Sequence, residues 1–505
     1  MMRSESHHRL REVTDIETVP LTGDPRRAVK ATPDEMVKTL TTDLLICGGG
    51  LGGVAAALAA AESGVQTCLL EETAWLGGQA TSQGVSALDE HPWIESFGGT
   101  KSYEHFRSAI RQHYAGEICD PDGGDGSLNP GKCWVSSLAF EPRVAVKVLD
   151  AMLAPYCADG RLRILRRTKV FGCHRDRERL TSLDAMNLES GEGLRVVFRL
   201  VIDATEMGDL LPLAGVPHRV GAESQGETGE PHAQQSASRT CVQGCTYPFI
   251  LEKSQTKTIP CPAPDGYSRF RDEQPYSLRI NIHGRADSWL QYAMFERLQG
   301  TPGSVWDYRR IIAGDQFLPS RDDLSMVNWP GNDYFSQSLL DLDAGALAGA
   351  LQEAKRLSLG LAHWFQTETP SSAGENLRLR TDLLDTPDGL SKFPYIREAR
   401  RIVPLRTILE QDVCSDTHQG ARSQLYDDAI GIGHYAIDVH DTCDGAAGYF
   451  VATKPFQIPL GALIPAETDN LIAGGKNLGV THITNGCFRL HPVEWNVGEV
   501  AGLLS

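Results

Sequence analysis

The segment DLLICGGGLGGVAAALAA, residues 43–60, decides the fold that this sequence predicts. Its apolar run Leu44–Cys47 ends in a cluster of glycines, as a buried parallel strand does. The alanine-rich stretch 54–62 predicts a helix that Gly64 ends. The apolar stretch 65–70 then predicts a second strand, and together these elements form a βαβ unit about 30 residues long.

Three glycines of this segment, Gly48, Gly50 and Gly53, have the spacing GxGxxG between the predicted strand and the predicted helix. Such glycines allow a tight turn, a close approach of a pyrophosphate to the backbone, and close packing of helix and strand. Glu71 ends the second strand, where a carboxylate accepts hydrogen bonds from ribose hydroxyls and repels a 2′-phosphate. The pattern therefore predicts FAD or NAD rather than NADP. The alternative is a glycine turn in a structural βαβ unit with a solvated Glu71.

Three further segments resemble FAD-dependent oxidoreductases that have a glutathione-reductase-like flavin domain. The segment LGGQ at 76–79 is similar to the family's stretch near the pyrophosphate, VIDATEMGD at 201–209 to its second flavin-contacting strand, and NLIAGGKN at 470–477 to its closing strand. In the second of these, Glu206, Met207 and Gly208 replace a single glycine of the family pattern. The resemblance covers most of residues 41–505 and implies FAD. We expect the FAD to be non-covalent, because no His, Cys or Tyr in these segments suits attachment.

The glycine loop and the resemblance together give the candidate cofactor-binding residues. Two of these follow Pro492, which suits the start of a helix whose N-terminus would face the flavin pyrimidine. The candidates are Gly48, Gly50, Gly53, Glu71, Gly77, Gly78, Gln79, Ala204, Thr205, Gly475, Asn477, Glu494 and Asn496.

The predicted fold class is α/β, with a Rossmann-type FAD-binding domain interleaved with a mixed α+β substrate domain. The Rossmann-type part is a mostly parallel sheet with helices. Residues 1–40 are polar and predict an N-terminal extension that is either mobile or draped over the surface. We assign residues 41–90, 136–215 and 460–505 to the FAD-binding domain, and residues 91–135 and 216–459 to the substrate domain.

Composition and charge exclude several classes of partner. The 48 basic and 65 acidic residues give a formal net charge of −17, which disfavours nucleic acid and anionic lipid. No apolar run approaches the length of a membrane span, and the N-terminus lacks the apolar core of a secretory signal. The 12 cysteines are sparse and form no CxxC pair. We therefore expect free thiols, no bound metal and a cytoplasmic location. The oligomeric state stays open.

The sequence predicts an enzyme that dehydrogenates an alcohol or amine carbon of a small molecule by hydride transfer to flavin. We find no second GxGxxG unit for a nicotinamide cofactor, so oxygen or another acceptor would reoxidise the flavin. A flavin monooxygenase that needs external NAD(P)H and a non-catalytic flavin-binding protein remain the alternatives. The hydride donor needs a base near neutral pH, and imidazole provides one. The candidate catalytic residues are His434, His440, His482, His491 and Asp438.

Two observations refine the search for this base. Asp438 and His440 would share one face of a strand, as a carboxylate and an oriented imidazole. The motif WPGNDY at 329–334 supplies Trp329, Asn332, Asp333 and Tyr334, which suit either a substrate pocket or a turn with packed aromatic rings.

Overall fold

The computed structural model describes residues 6–118, 128–281, 288–370 and 374–505. Within these ranges the α-helices are α1 (Leu51–Glu62), α2 (Lys101–Tyr114), α3 (Pro142–Ala158), α4 (Leu210–Leu213), α5 (Gln225–Thr228), α6 (Tyr267–Glu273), α7 (Ala344–Thr367), α8 (Glu410–Val413), α9 (His482–Phe488) and α10 (His491–Leu503).

The strands up to the middle of the chain are β1 (Ser6–Arg9), β2 (Glu12–Thr14), β3 (Val29–Ala31), β4 (Lys38–Thr41), β5 (Leu44–Cys47), β6 (Thr67–Leu70), β7 (Leu162–Leu165), β8 (Thr168–Asp176), β9 (Arg179–Asn187), β10 (Gly193–Val197), β11 (Leu200–Asp203), β12 (His218–Arg219) and β13 (Cys245–Thr246). The later strands are β14 (Phe249–Lys253), β15 (Arg279–Asn281), β16 (Trp289–Gln291), β17 (Arg310–Ile312), β18 (Asp323–Val327), β19 (Asp333–Tyr334), β20 (Leu377–Leu379), β21 (Arg401–Ile402), β22 (Ala429–Gly433), β23 (Ile437–Val439), β24 (Tyr449–Val451), β25 (Phe456–Pro459) and β26 (Leu471–Ala473).

The βαβ unit lies in a five-stranded parallel sheet with the order β26, β11, β5, β6, β7. Strands β5 and β6 are buried along their whole length, in agreement with their largely apolar sequences LLIC and TCLL. Because all five strands run in one direction, the segments that follow β5, β6, β11 and β26 meet at one edge of the sheet. Ligands of open parallel sheets bind outside this carboxyl edge. The sheet and its helices confirm the predicted α/β fold class.

Two helices from opposite ends of the chain cover this sheet together. Helix α1 is rich in alanine and almost wholly buried. A Cβ on Gly498 of α10 would lie 1.9 Å from the carbonyl oxygen of Gly52 in α1. A Cβ on Gly502 would lie 2.3 Å from the carbonyl oxygen of Ala56. The two backbones are therefore in direct contact, which only glycine allows at these positions.

A second five-stranded sheet has the order β1, β8, β9, β10, β4 and includes the N-terminal segment. The described part of the predicted extension, residues 6–40, is folded against the rest of the chain. Strand β1 pairs with β8, and the Lys355 ammonium of α7 donates to the carbonyl oxygen of Val19 at 2.9 Å. The sequence of residues 194–202 predicts one strand. In the structure this stretch is two strands, because β10 joins the second sheet whereas β11 joins the parallel sheet.

The long insertion builds a separate apolar core. Strands β17, β18, β14 and β20 form an antiparallel sheet that packs with α7 around buried aromatic residues such as Trp329 and Phe365. The domain boundaries proposed from the sequence stay predictions. In the described part of the chain, no helix is long and apolar enough to cross a membrane. The same ranges contain no group of three or more His, Cys, Asp or Glu side chains that could hold a metal ion.

Candidate functional site

The glycine loop turns sharply between β5 and α1. Gly48 has a φ of +97°, and a Cβ there would lie 2.1 Å from the carbonyl oxygen of Ala204. A Cβ on Gly53 would lie 1.9 Å from the carbonyl oxygen of Gly48. Gly50 is the N-cap of α1, whose first turn carries backbone N–H groups without helical partners. The loop thus has the bare backbone and the helix N-terminus that a pyrophosphate needs.

The carboxylate of Glu71 is fixed at the end of β6 by two backbone groups. It accepts hydrogen bonds from the N–H of Gly49 at 2.6 Å and from the N–H of Thr73 at 2.7 Å. Burial raises the pKa of Glu71 to about 7. A ribose hydroxyl that donates to this carboxylate would favour its ionised form.

A cavity opens at the carboxyl edge of the parallel sheet. Gly48, Glu71, Gly78 and Thr205 line it, and all four are predicted cofactor-binding residues. We call this cavity and the glycine loop beside it the cofactor cradle. A side chain at any of its glycine positions would fill or distort the cradle. The residues present therefore fit FAD, with Glu71 at the ribose and the start of α1 at the pyrophosphate.

The loop after β26 is tied to its neighbours by side-chain amides. Asn477 donates to the carbonyl oxygen of Asp203 at 2.9 Å, and its own amide oxygen accepts from the N–H of Gly475 at 3.3 Å. Gln79 donates to the carbonyl oxygen of Arg489 at 2.9 Å. These bonds bring the segment after Gly77 and Gly78 against the start of α10.

Two predicted residues of α10 lie in different surroundings. The carboxylate of Glu494 accepts from Gln79 and lies 3.4 Å from the Lys476 ammonium. Asn496 packs against β22, since a Cβ on Gly431 would lie 2.1 Å from its amide oxygen. Glu494 is thus next to the cradle, whereas contact of Asn496 with FAD stays a prediction.

His491 is held by two backbone groups and does not suit the predicted role of base. Its Nδ1 accepts from the N–H of Asp89 at 3.0 Å, and its Nε2 donates to the carbonyl oxygen of Val85 at 3.1 Å. Both nitrogens are therefore used. Burial lowers the pKa of His491 to about 4, so the ring is neutral at pH 7. These contacts suit a role of His491 in positioning the chain after the flavin-binding loop, and its part in catalysis stays a prediction.

His482 also differs from the predicted base, for the opposite reason. Its Nδ1 lies 2.9 Å from the carboxylate of Glu398, and its Nε2 lies 3.9 Å from the sulfur of Cys241. Burial opposes the charged ring, but Glu398 and Cys241 outweigh it and raise the pKa of His482 to about 10. An imidazole that keeps its proton at neutral pH cannot accept another one.

His434 lies in a cluster of aromatic rings at the surface. Its ring stacks on Trp93 with centroids 5.4 Å apart and planes 13° apart. Burial lowers the pKa of His434, and its Nδ1 has no hydrogen-bond partner among the described residues. The ring lacks the carboxylate that would orient it, so it is a weaker candidate than His440.

His440 lies between two carboxylates, as a positioned acid–base group does. Its Nδ1 is 2.6 Å from Asp333, and its Nε2 is 3.4 Å from Asp438. Burial and the Arg397 charge lower its pKa, but Asp438 and Asp333 outweigh them and leave the pKa above its ordinary value. The side chain is 23% exposed, whereas that of His482 is 5% exposed. Of the two, only His440 is open enough for a substrate to reach.

Arginines hold both carboxylates ionised. Arg397 lies 2.9 Å from Asp333, and Arg489 lies 3.3 Å from Asp438. Burial favours the neutral acids, yet the cations nearby keep the pKa of each carboxyl below its ordinary value. The guanidinium groups of both arginines lie over the ring of Tyr395, at 5.1 and 5.8 Å from its centroid.

A third ion pair joins this cluster to the flavin-binding segments. Arg309 lies 2.8 Å from Asp89, whose N–H donates to His491. Sequence reasoning missed Arg309 and gave Arg397 no role, although three arginines between 397 and 401 are unusual for a buried segment. The Nε atoms of Arg309, Arg397 and Arg489 are buried and lack partners among the described residues. Because buried polar groups are normally hydrogen-bonded, these three donors are available to water or to a ligand.

Fold and site together define a dinucleotide-binding α/β enzyme with a buried charged cluster next to its cofactor cradle. A family model described as FAD dependent oxidoreductase matches residues 43–505. The chain belongs to this family, and it is an enzyme whose cofactor is FAD. This confirms the family, the cofactor and the enzyme class that the sequence predicts, and it speaks against a non-catalytic protein. No curated protein sequence matches the chain.

Several solved structures share parts of the fold. L-proline dehydrogenase from P. horikoshii is 14% identical with a TM-score of 0.20, over 38% of this chain and 26% of that chain. A geranylgeranyl bacteriochlorophyll reductase-like protein from Thermoplasma acidophilum is 14% identical with a TM-score of 0.24, over 43% of this chain and 48% of that one. E. coli quinol fumarate reductase is 14% identical with a TM-score of 0.33, and the match covers 92% of this chain and 70% of that chain. The chain thus spans less than half the length of the first two, and likeness at this level says nothing about the reaction.

Proposed function

We propose that the protein oxidises an alcohol or amine carbon of a small organic molecule, with His440 as the base. Bound FAD supplies the acceptor for the hydride. The observation that carries the proposal is the position of the His440 imidazole, 2.6 Å from Asp333 and 3.4 Å from Asp438, beside segments that contact the cofactor cradle. Removing a hydride from carbon is easier when a base takes the proton of the neighbouring oxygen or nitrogen.

Asp333 positions the imidazole for this task. In the neutral ring, Nδ1–H donates to Asp333, which leaves the proton-accepting lone pair on Nε2, the nitrogen that Asp438 faces at 3.4 Å. Once Nε2 is protonated, Asp333 and Asp438 face the imidazolium from both sides and stabilise its charge. Arg397 and Arg489 keep both carboxylates ionised, so neither removes the proton from His440.

The raised pKa of His440 gives the reaction a pH dependence with a definite sign. The neutral ring is the base, so the rate of substrate oxidation should increase with pH and level off above a pKa that exceeds the ordinary 6.5. A profile that falls with pH over this range would mean that the protonated ring does the work.

The experiment starts with an anaerobic screen of small alcohols and amines for loss of the oxidised-flavin absorbance. With a substrate in hand, His440→Asn should slow flavin reduction by roughly 10²–10⁴-fold while the FAD content stays at the wild-type level. The matched control is His105→Asn, at an exposed position of α2. Its flavin should be reduced by the substrate at the wild-type rate. Unchanged reduction in His440→Asn would refute the assigned base.

A parallel experiment adds NADPH, without any other substrate, to the protein under anaerobic conditions. We expect no loss of flavin absorbance, because the sequence contains no second GxGxxG unit with a preceding strand and a following acid. Rapid bleaching by NADPH would instead favour the monooxygenase alternative.

A further inference from the structure

One carboxylate lies inside the cradle that the glycines leave open. A Cβ on Gly50 and a Cβ on Gly78 would each lie 2.5 Å from Oε1 of Glu206. The Glu206 carboxylate therefore lies between the N-cap of α1 and the second bare-backbone segment. This is the space in which the GxGxxG loop admits a pyrophosphate.

The partners of Glu206 show why the side chain lies there. Its Oε2 pairs with the ammonium of Lys476, which is buried and lies 3.4 Å from Glu494 as well. Burial opposes the charge of Lys476, but the two carboxylates outweigh it and raise its pKa. The other oxygen, Oε1, is buried and has no hydrogen-bond partner among the described residues. Glu206 thus provides a counter-ion for a buried lysine while one of its oxygens stays unsatisfied.

The charges around Glu206 do not suit the diphosphate of FAD while the Glu206 side chain keeps this position. The Glu206 carboxylate brings a negative charge to the place where the cofactor brings its negative phosphates. Like charges at such short range repel strongly in a water-poor site. Glu206 also lines the cavity beside the loop, so its carboxylate lies where the cofactor would enter.

We propose that the Glu206 carboxylate occupies the position of a cofactor phosphate in the FAD-free protein and is displaced when FAD binds. Lys476 then exchanges a carboxylate for a phosphate oxygen, and no bond is made or broken. Glu206 stabilises the FAD-free protein by pairing with Lys476 and weakens FAD binding by competing with it. This inference is independent of the reaction that the enzyme catalyses.

The test measures binding to FAD-free protein rather than activity. For Glu206→Gln we expect the dissociation constants of FAD and of ADP to fall at least about tenfold, since one like charge leaves the phosphate position. Adenosine, which has no phosphate, should bind wild type and variant equally. Glu467→Gln is the matched control, because Glu467 is exposed, lies outside the cavity and loses the same charge. It should change the FAD dissociation constant less than threefold.

Thermal unfolding provides the second readout. The FAD-free Glu206→Gln variant should unfold at a lower temperature than wild type, and saturating FAD should remove the difference. If this variant does not fold without FAD, the change is made in a Lys476→Met background, where it should still tighten ADP binding. Unchanged or weaker binding of FAD and ADP in folded Glu206→Gln overturns the proposal. An equal gain for adenosine does so too, because the effect would then not concern the phosphates.

Discussion

The cofactor cradle and the charged cluster around His440 are built in different ways. The cradle arises mainly from one continuous stretch, in which Gly48 and Gly53 shape the backbone and Glu71 ends the next strand. The cluster gathers side chains from segments that lie far apart in the sequence, such as Asp89, Asp333 and Arg489. A backbone site is therefore sensitive to added volume, whereas a side-chain cluster is sensitive to lost charge.

The largest effect should come from adding volume to the cradle. In Gly53→Val the new Cβ would lie 1.9 Å from the carbonyl oxygen of Gly48, so the turn between β5 and α1 has to shift. We expect loss of bound FAD and a decrease of roughly 3 kcal/mol in the free energy of unfolding. Flavin content and urea denaturation measure both. A variant that stays yellow and stable would show that the cradle tolerates volume after all.

On the charged side of the comparison, the stability of the protein should depend on pH through two histidines that lie nine positions apart. Their contributions to the free energy of unfolding should change with pH in opposite directions. His482 has a pKa of about 10 in the folded protein, so its contribution to stability is complete below about pH 6.5 and is lost as the pH rises towards 10. His491 has a pKa of about 4, so the folded state disfavours its protonation, and stability is lost as the pH falls from about 6.5 towards 4.

Between its unfolded and its folded pKa, each histidine should change the free energy of unfolding by at most about 1.4 kcal/mol per pH unit. Denaturant titrations between pH 5 and pH 9 measure the free energy of unfolding for this purpose. His482→Gln should flatten the alkaline limb, and His491→Phe should flatten the acid limb. If either variant keeps the wild-type slope, the corresponding histidine does not control that limb.

The smallest effect should come from a glycine outside the cradle. Gly349 lies inside α7, and a Cβ there would meet no atom within 4 Å. Gly349→Ala should leave FAD binding unchanged and increase the free energy of unfolding by about 0.5–1 kcal/mol, since alanine favours helix more than glycine does. This variant is the control for Gly53→Val, and a loss of FAD here would remove the distinction between the two sites.

Much of the cradle could be predicted because local sequence determines it. From its sequence alone, the stretch 142–158 predicts a helix, and the stretches 44–47 and 471–473 predict strands. The structure has these three elements with the same bounds. The single strand predicted over 194–202 failed, since the apolar pattern cannot show that the chain leaves one sheet and enters another between β10 and β11.

The roles of the histidines could not be predicted in the same way. In sequence His482 and His491 look alike, as polar residues at helix starts. What separates them is that Glu398 faces one ring and backbone groups of Val85 and Asp89 face the other. Such partners come from distant segments, and a single sequence carries no signal for them. The same holds for Arg309, which gained a role only through its contact with Asp89.

The contact between α1 and α10 has a consequence for the order in which the protein folds during translation. Strand β26 and helix α10 leave the ribosome long after β5, α1 and β11, and at about 5–20 residues per second the delay is on the order of half a minute. Until then the edge of β11 and the glycine face of α1 have no partner, and the FAD site is incomplete. The nascent chain must therefore be kept from aggregating through this unfinished sheet before the cofactor can bind.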